Sequence, residues 1–306
     1  MLYCWAPRRQ RMVRLPRHSL PSNTTGLGSN VSLRILIGVF SRAAIGRSFV
    51  RQSWGSQLHP SVERLWFIVA LPSDTNHTQA AHRTVRAEAA THGDMLLLHG
   101  HREAYGSLPH KILAFYAAAT ASSLRVRHLL KTDDDVWLSM ATVRCILPLL
   151  PLTGAYAGYV YRGIQPERRR TSKYSDDIFS QRHAIPSTSS PSEREDGQLA
   201  YPPYVDGIGE LLSADVAACI VARLHAYDLP STLADVVTGH AARQLCSVAP
   251  CAGHRGGGCL PLPSARERLA WPALPDGEQA IFVRHTDRTV VTEQYRSRLR
   301  FRMLMN

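Results

Sequence analysis

Lysine is nearly missing from this chain of 306 residues. Only Lys111, Lys131 and Lys173 are lysines among 36 basic residues, and the formal net charge is +12. Positive charge carried by arginine suits bidentate contacts to phosphate or carboxylate, although a biased genome composition would produce the same excess. No run alternates basic with aromatic residues, which argues against nucleic acid as a partner. Neither a CxxC pair nor a Cys/His zinc spacing occurs among the six cysteines. Cys4, Cys145 and Cys219 are dispersed and read as inert buried thiols. Cys246, Cys251 and Cys259 crowd a Gly/Pro-rich stretch where one or two disulfides would fit. Long hydrophobic runs are also lacking. The longest early one, ILIGVF, falls far short of the about 20 residues of a membrane span, and no anchor or internal repeat is visible.

What remains is an ordinary globular composition, 44% apolar and 20% charged, able to bury a sizeable core in one large or two smaller domains. Residues 1–31 are rich in Arg, Pro, Ser and Gly and are expected to form a disordered basic arm or stem remnant. The rest, 32–306, reads as one domain. Short apolar runs bounded by breakers predict buried strands at 33–40, 64–71, 94–99 and 127–133. Helices are expected at 78–93, ending on a glycine, and at 107–123, with Ser107 as N-cap and Pro109 in the first turn. This alternation predicts an α/β fold with a mostly parallel sheet. A polar, Pro/Ser-rich stretch at about 164–199 reads as a long loop. Order returns at 201–227 with a glycine-bearing turn, a strand and a helix capped near Ser213. A further helix is expected near Val236 and a late strand at 279–285. Sequons at Asn23, Asn30 and Asn76 permit glycosylation in a secretory compartment.

One of these strands runs directly into "KTDDDVWL" (131–138). Three adjacent carboxylates repel one another, and folding gains nothing from crowding them beside an apolar strand. Ligands of open parallel sheets bind outside the carboxyl ends of the strands. An acidic cluster there suits a hard divalent cation such as Mn²⁺ or Mg²⁺ and the diphosphate it would carry. A solvated acidic turn is the alternative for these three residues taken alone.

Five further stretches flank this one in order: "RSFVRQSWG" (47–55), "EAYGSLPHK" (103–111), "YPPYVDGIGELLS" (201–213), "LADVVTG" (233–239) and "IFVRH" (281–285). Together with "KTDDDVWL" they resemble the β-1,3-galactosyltransferase and N-acetylglucosaminyltransferase family, to which the fringe enzymes are related, over roughly residues 33–290. The resemblance implies a GT-A fold, a Rossmann-like sheet binding a nucleotide sugar, in 32–306 as a catalytic domain. It implies Asp135 and His285 as ligands of Mn²⁺, and Asp133 and Asp134 at the nucleotide, with Asp133 near the ribose and the waters of the metal. Arg47, Arg51 and Lys111 would be basic groups within reach of the donor, although the arginines also flank a helix start and Lys111 could equally face solvent. Gly207 and Gly209 would let backbone approach the sugar, and Asp235 would be the base of an inverting transfer. The family implies a UDP-sugar donor (galactose or N-acetylglucosamine), a glycan acceptor on glycoprotein or glycolipid, and a type II Golgi membrane protein.

Three departures from the pattern bear on acceptor recognition. Ala234 replaces the usual glutamate before the base, Ser107 and Pro109 replace an Asn and a Thr, and Glu210 stands where an aromatic is common. Ala234 and Glu210 motivate an alternative, a catalytically silent relative that binds glycan or nucleotide. The triple aspartate alone would also allow a metal-dependent phosphohydrolase, but no second acidic or histidine cluster supports one.

Overall fold

The structure, a computed structural model, describes residues 17–21, 32–71, 79–167, 171–182, 200–224, 229–250 and 282–284. In chain order these form β1 (Arg17–Ser19), β2 (Ser32–Phe40), α1 (Ala44–Gln52), β3 (Glu63–Leu71), α2 (Gln79–His92), β4 (Met95–His99) and α3 (Leu108–Ala121). There follow β5 (Arg125–Asp133), β6 (Val136–Leu138), α4 (Met140–Ile146), β7 (Tyr156–Ala157), β8 (Val160–Tyr161) and α5 (Asp177–Arg182). The last elements are β9 (Tyr204–Val205), β10 (Glu210–Ser213), α6 (Ala214–Arg223), α7 (Ala234–Gln244) and β11 (Phe282–Arg284).

The main sheet has the order β1-β4-β3-β2-β5-β10-β7. Its centre, β4, β3, β2 and β5, is parallel, while β1 and β10 add antiparallel to β4 and β5. Strands covered on both faces need apolar side chains at every position, which is why β2 and β3 read as unbroken apolar runs. Alternate residues supply two cores. Leu36, Phe40, Trp66 and Ile68 face α3, α6 and α7, and Ile35, Ile37, Val39 and Phe67 face Val50 of α1 and Val143 of α4. The α/β arrangement with a mostly parallel sheet is the expected one.

Three local expectations are corrected. Residues 17–19, placed in the arm, form an edge strand paired with β4, with the Ser19 hydroxyl 2.7 Å from His99 Nε2. Part of the stretch at 164–199 is ordered: Glu167 bridges to Ser175, and α5 follows. Asp176 explains that order. Its buried carboxylate accepts hydrogen bonds from Tyr201 Oη (3.0 Å), Thr232 N (3.1 Å), Phe179 N (3.2 Å) and the Ser231 hydroxyl. Finally, Cys246 is bonded to Cys219, tying α6 to the end of α7, so one partner comes from the dispersed cysteines. Cys251 and Cys259 lie outside the described residues, as do Asn23, Asn30 and Asn76.

The helix ends agree with expectation, though not through side chains. Ser107 and Ser213 are N-caps of α3 and α6 without a side-chain cap bond. The Ser213 hydroxyl instead accepts from Ala155 N at 2.9 Å.

Candidate active site

β5 ends on Asp133, and the chain turns at once into β6. The three aspartates in that turn are half-buried and have different surroundings. Asp133 Oδ1 accepts from Lys131 Nζ at 2.9 Å. Asp134 turns the other way: its Oδ2 accepts from the Ser41 hydroxyl at 2.8 Å, and its amide donates to Phe40 O at 3.1 Å. A Cβ on Gly46 would lie 2.1 Å from Asp134 Oδ2, so a glycine is required in the first turn of α1. There the carboxylate meets the positive end of the helix. Asp134 is thereby an anchor of the turn, and this structural role is what the sequence reading did not separate from ligand binding. The indole of Trp54 closes the turn from below by donating to Val136 O at 3.0 Å.

Arg47 and Arg51 do not line the pocket beside these aspartates. Arg47, 2% exposed, is bidentate to Glu88 on α2 and donates to the Ser41 hydroxyl at 3.2 Å. Arg51 grips Asp94 with two bonds of 2.8 Å and Glu88 with a third. Burial works against the charge of Glu88, but the two arginines outweigh it and hold the carboxyl below its ordinary value. The resemblance places these arginines within reach of the donor; in the structure their own donors clamp α1 to α2 and to the strand entry at Asp94. Lys111 is buried too, donating to Glu103 at 2.6 Å and Ser41 O at 3.3 Å. Burial lowers its pKa against the pull of Glu103, Asp133 and Asp134. It supports the aspartate turn from the α3 side and faces neither pocket nor solvent.

The pocket itself, of about 280 Å³, brings together Asp133, Gly207 and Asp235. Gly207 O accepts from Lys131 Nζ. A Cβ on Gly207 would stand 3.3 Å from that ammonium and 3.7 Å from Asp235 Oδ2. Gly209 does not line the pocket and serves the turn, its amide donating to Asp206 O at 3.1 Å. Asp235 sits in the first turn of α7, with Oδ1 accepting from Val236 N at 3.0 Å. Burial pushes its carboxyl up to about 6, opposed by Lys131 and the Val236 amide and reinforced by Asp206. Lys131 is buried as well, yet Asp133, Glu210 and Asp235 outweigh that burial and raise its pKa. The ammonium is therefore a fixed positive charge at the centre of the site.

Four tyrosines complete the wall: Tyr105, Tyr161, Tyr174 and Tyr204. Tyr161 donates to Asp206 Oδ2 at 3.1 Å. Lys173 Nζ lies 4.8 Å from the Tyr174 ring and 5.7 Å from that of Tyr105. Tyr161 and Tyr174 escaped the sequence reading, since lone tyrosines carry no spacing signal; only their convergence distinguishes them.

Among the described residues no group of three His, Cys, Asp or Glu side chains is arranged to hold a metal ion. His285 lies outside the described residues. The strand before it ends with Arg284 paired to Val136, the residue after Asp135. The Asp135 carboxylate, half-buried at the sheet's carboxyl edge, is a hard oxygen donor of the kind a divalent cation takes, with water and phosphate completing its shell. Of the two residues implied as ligands, the structure therefore describes Asp135 alone.

The acidic turn lies at the carboxyl edge of the parallel strands, where ligands of such sheets bind, and it shares a pocket with a buried carboxyl on a helix start. The galactosyltransferase family model matches residues 46–248, and the chain belongs to that family. Its relatives include zebrafish lactosylceramide 1,3-N-acetyl-beta-D-glucosaminyltransferase A, 24% identical over 70% of this chain and 54% of its own length. Human N-acetyllactosaminide beta-1,3-N-acetylglucosaminyltransferase 3 is 27% identical over 60% and 46%. Dog beta-1,3-galactosyltransferase 4 is 26% identical over 72% and 63%. The chain thus spans about half to two thirds of the length of these relatives. Among solved structures, mouse xyloside xylosyltransferase 1 aligns with a TM-score of 0.31 and 12% identity over 72% of this chain and 85% of its own.

Proposed function

We propose that this protein is an inverting hexosyltransferase that forms a β-1,3 linkage from a UDP-sugar to a glycan acceptor. The observation that carries the reading is the convergence of Asp133, Gly207 and Asp235 on one pocket. The names of the relatives cover both galactosyl and N-acetylglucosaminyl transfer, and we place UDP-galactose slightly ahead. Asp135, with His285, would hold Mn²⁺. That ion would supply charge neutralisation on the departing diphosphate. Asp133 would face the ribose side of the donor, kept in place by Lys131.

The transfer is one in-line displacement. The acceptor oxygen bonds to the anomeric carbon from one face as the bond to the diphosphate oxygen breaks on the other, and the hydroxyl proton passes to Asp235. A base raised to about 6 is ionised at neutral pH and still basic enough to take a proton in the transition state. Tyr105, Tyr161, Tyr174 and Tyr204 present aromatic faces and hydroxyls suited to sugar rings. The Cys219–Cys246 disulfide supports an oxidising compartment, in keeping with a lumenal Golgi enzyme. Among the described residues no helix is long and apolar enough to cross a membrane.

A donor screen with purified protein and Mn²⁺, following UDP release and glycan product together, tests this reading. Transfer from one UDP-sugar to a glycan is expected. UDP release without any glycan product would favour a hydrolase, and donor binding without turnover would favour a silent relative.

A further inference from the structure

Glu210 has no part in this mechanism, yet it lines the pocket and is 1% exposed. It opens β10 directly opposite Lys131 of β5. The groups facing it are Tyr116 on α3, Lys131 on β5, Tyr156 on β7, and Asp235 and Thr238 on α7. Of these only Lys131 is a cation. Tyr116 Oη donates to Glu210 Oε1 at 2.5 Å. Glu210 Oε2 is buried and has no hydrogen-bond partner among the described residues, the Thr238 hydroxyl donating instead to Ala234 O at 3.1 Å.

Lys131 already serves Asp133 and Gly207 O. Asp235 and Glu210 therefore share the field of an ammonium whose bonds go elsewhere, and two buried carboxylates so placed resist ionising together. Asp133 has the ammonium and Asp235 has the Val236 amide. Glu210 has one neutral phenol and an orphan oxygen, so the proton belongs there. A carboxylic acid matches this environment: its carbonyl oxygen accepts from Tyr116, and no buried anion is left uncompensated.

We propose that Glu210 is a positioning residue for Asp235, held as a neutral acid so that Lys131 remains the counter-ion of Asp133 and Asp235. Ionised, Glu210 would compete for that ammonium across the strand pair and leave the base and the donor-facing aspartate undercompensated. The inference rests on Asp235 being the base of the proposed transferase. Burial agrees with it, lifting Glu210 up to about 8 against Tyr116 and Lys131, while Asp235 is lifted only to about 6. Between those values the base is charged and Glu210 is not.

The test compares wild type, Glu210→Gln and Tyr116→Phe. In wild type kcat should rise through about pH 6 and fall through about pH 8. Glu210→Gln, which cannot ionise, should retain turnover and lose the alkaline fall in its pH profile. Tyr116→Phe removes the bond that favours the ionised form and should move the fall to higher pH. An alkaline fall unchanged in both variants, or a Glu210→Gln enzyme inactive at every pH, would overturn the positioning role. Thermal unfolding gives a readout independent of turnover. A carboxyl raised from 4.5 to about 8 binds an extra proton in the folded state across that window. Wild-type stability should therefore decline there with rising pH relative to Glu210→Gln, and parallel melting curves would overturn the neutral acid. A wild type inactive with every donor would overturn the transferase reading and the positioning role together, whereas the melting comparison would still report the state of Glu210.

Discussion

Asp235 combines burial, a helix start and a nearby ammonium, and each leaves a measurable mark. Asp235→Asn keeps size and hydrogen-bonding shape but cannot take the acceptor proton. It should lower kcat by about 10²- to 10⁴-fold while UDP-sugar affinity stays near normal. Lost donor affinity in that variant would make Asp235 structural and direct attention to Asp206. The acid limb follows from the same burial: the base must be ionised, so kcat rises with pH through about 6. Asp135→Ala should abolish Mn²⁺-dependent UDP binding in calorimetry without loss of fold, since the half-buried side chain is no core contact. At this scale the sequence pointed to Asp133, Asp135, Gly207 and Asp235 through motif order. It could not tell Asp134 from its neighbours, because Ser41 and Gly46, which turn that carboxylate toward α1, lie 93 and 88 positions earlier.

Among the elements, α1 and α2 are joined by charge as well as by packing. Glu88 accepts from both Arg47 and Arg51. Glu88→Gln weakens three charge-assisted bonds and should cost about 1–3 kcal/mol in denaturant unfolding at neutral pH. The folded pKa of Glu88 lies below its ordinary 4.5, so its stabilisation is present above that value and is lost as pH falls through the folded one. The gap between wild type and variant should narrow in acid; a constant gap would mean that the arginines do not act through its charge. The Cys219–Cys246 bond closes a loop of sequence separation 27, and replacing both cysteines by serine should lower stability by about 3.5 kcal/mol. The strands and helices were legible as runs and periods, but their partners were not. The arginines answer residues 37 to 43 positions away, and the Asp176 clamp reaches back from residues 201 and 231.

For the molecule as a whole, the proposed site lies where β5, β10 and α7 meet, so a ligand there bridges separate elements. UDP with Mn²⁺ at about 100 times Kd should add about 2.7 kcal/mol to stability, and a chelator should remove most of that gain. The same gain from UDP alone would speak against the metal. Expression in a secretory host should yield a mass that falls with endoglycosidase if Asn23, Asn30 or Asn76 carries glycan; an unchanged mass would count against a lumenal location. By itself the sequence determined the α/β class, the four parallel strands at the centre of the sheet and the family, since apolar runs, breakers and motif order are local properties that survive in one dimension. Only the tertiary structure decided that Arg47, Arg51 and Lys111 are braces, that Cys246 takes Cys219, and that Glu210 and four tyrosines wall the pocket. Each of those outcomes depends on which distant group a side chain meets once burial removes water as its alternative partner.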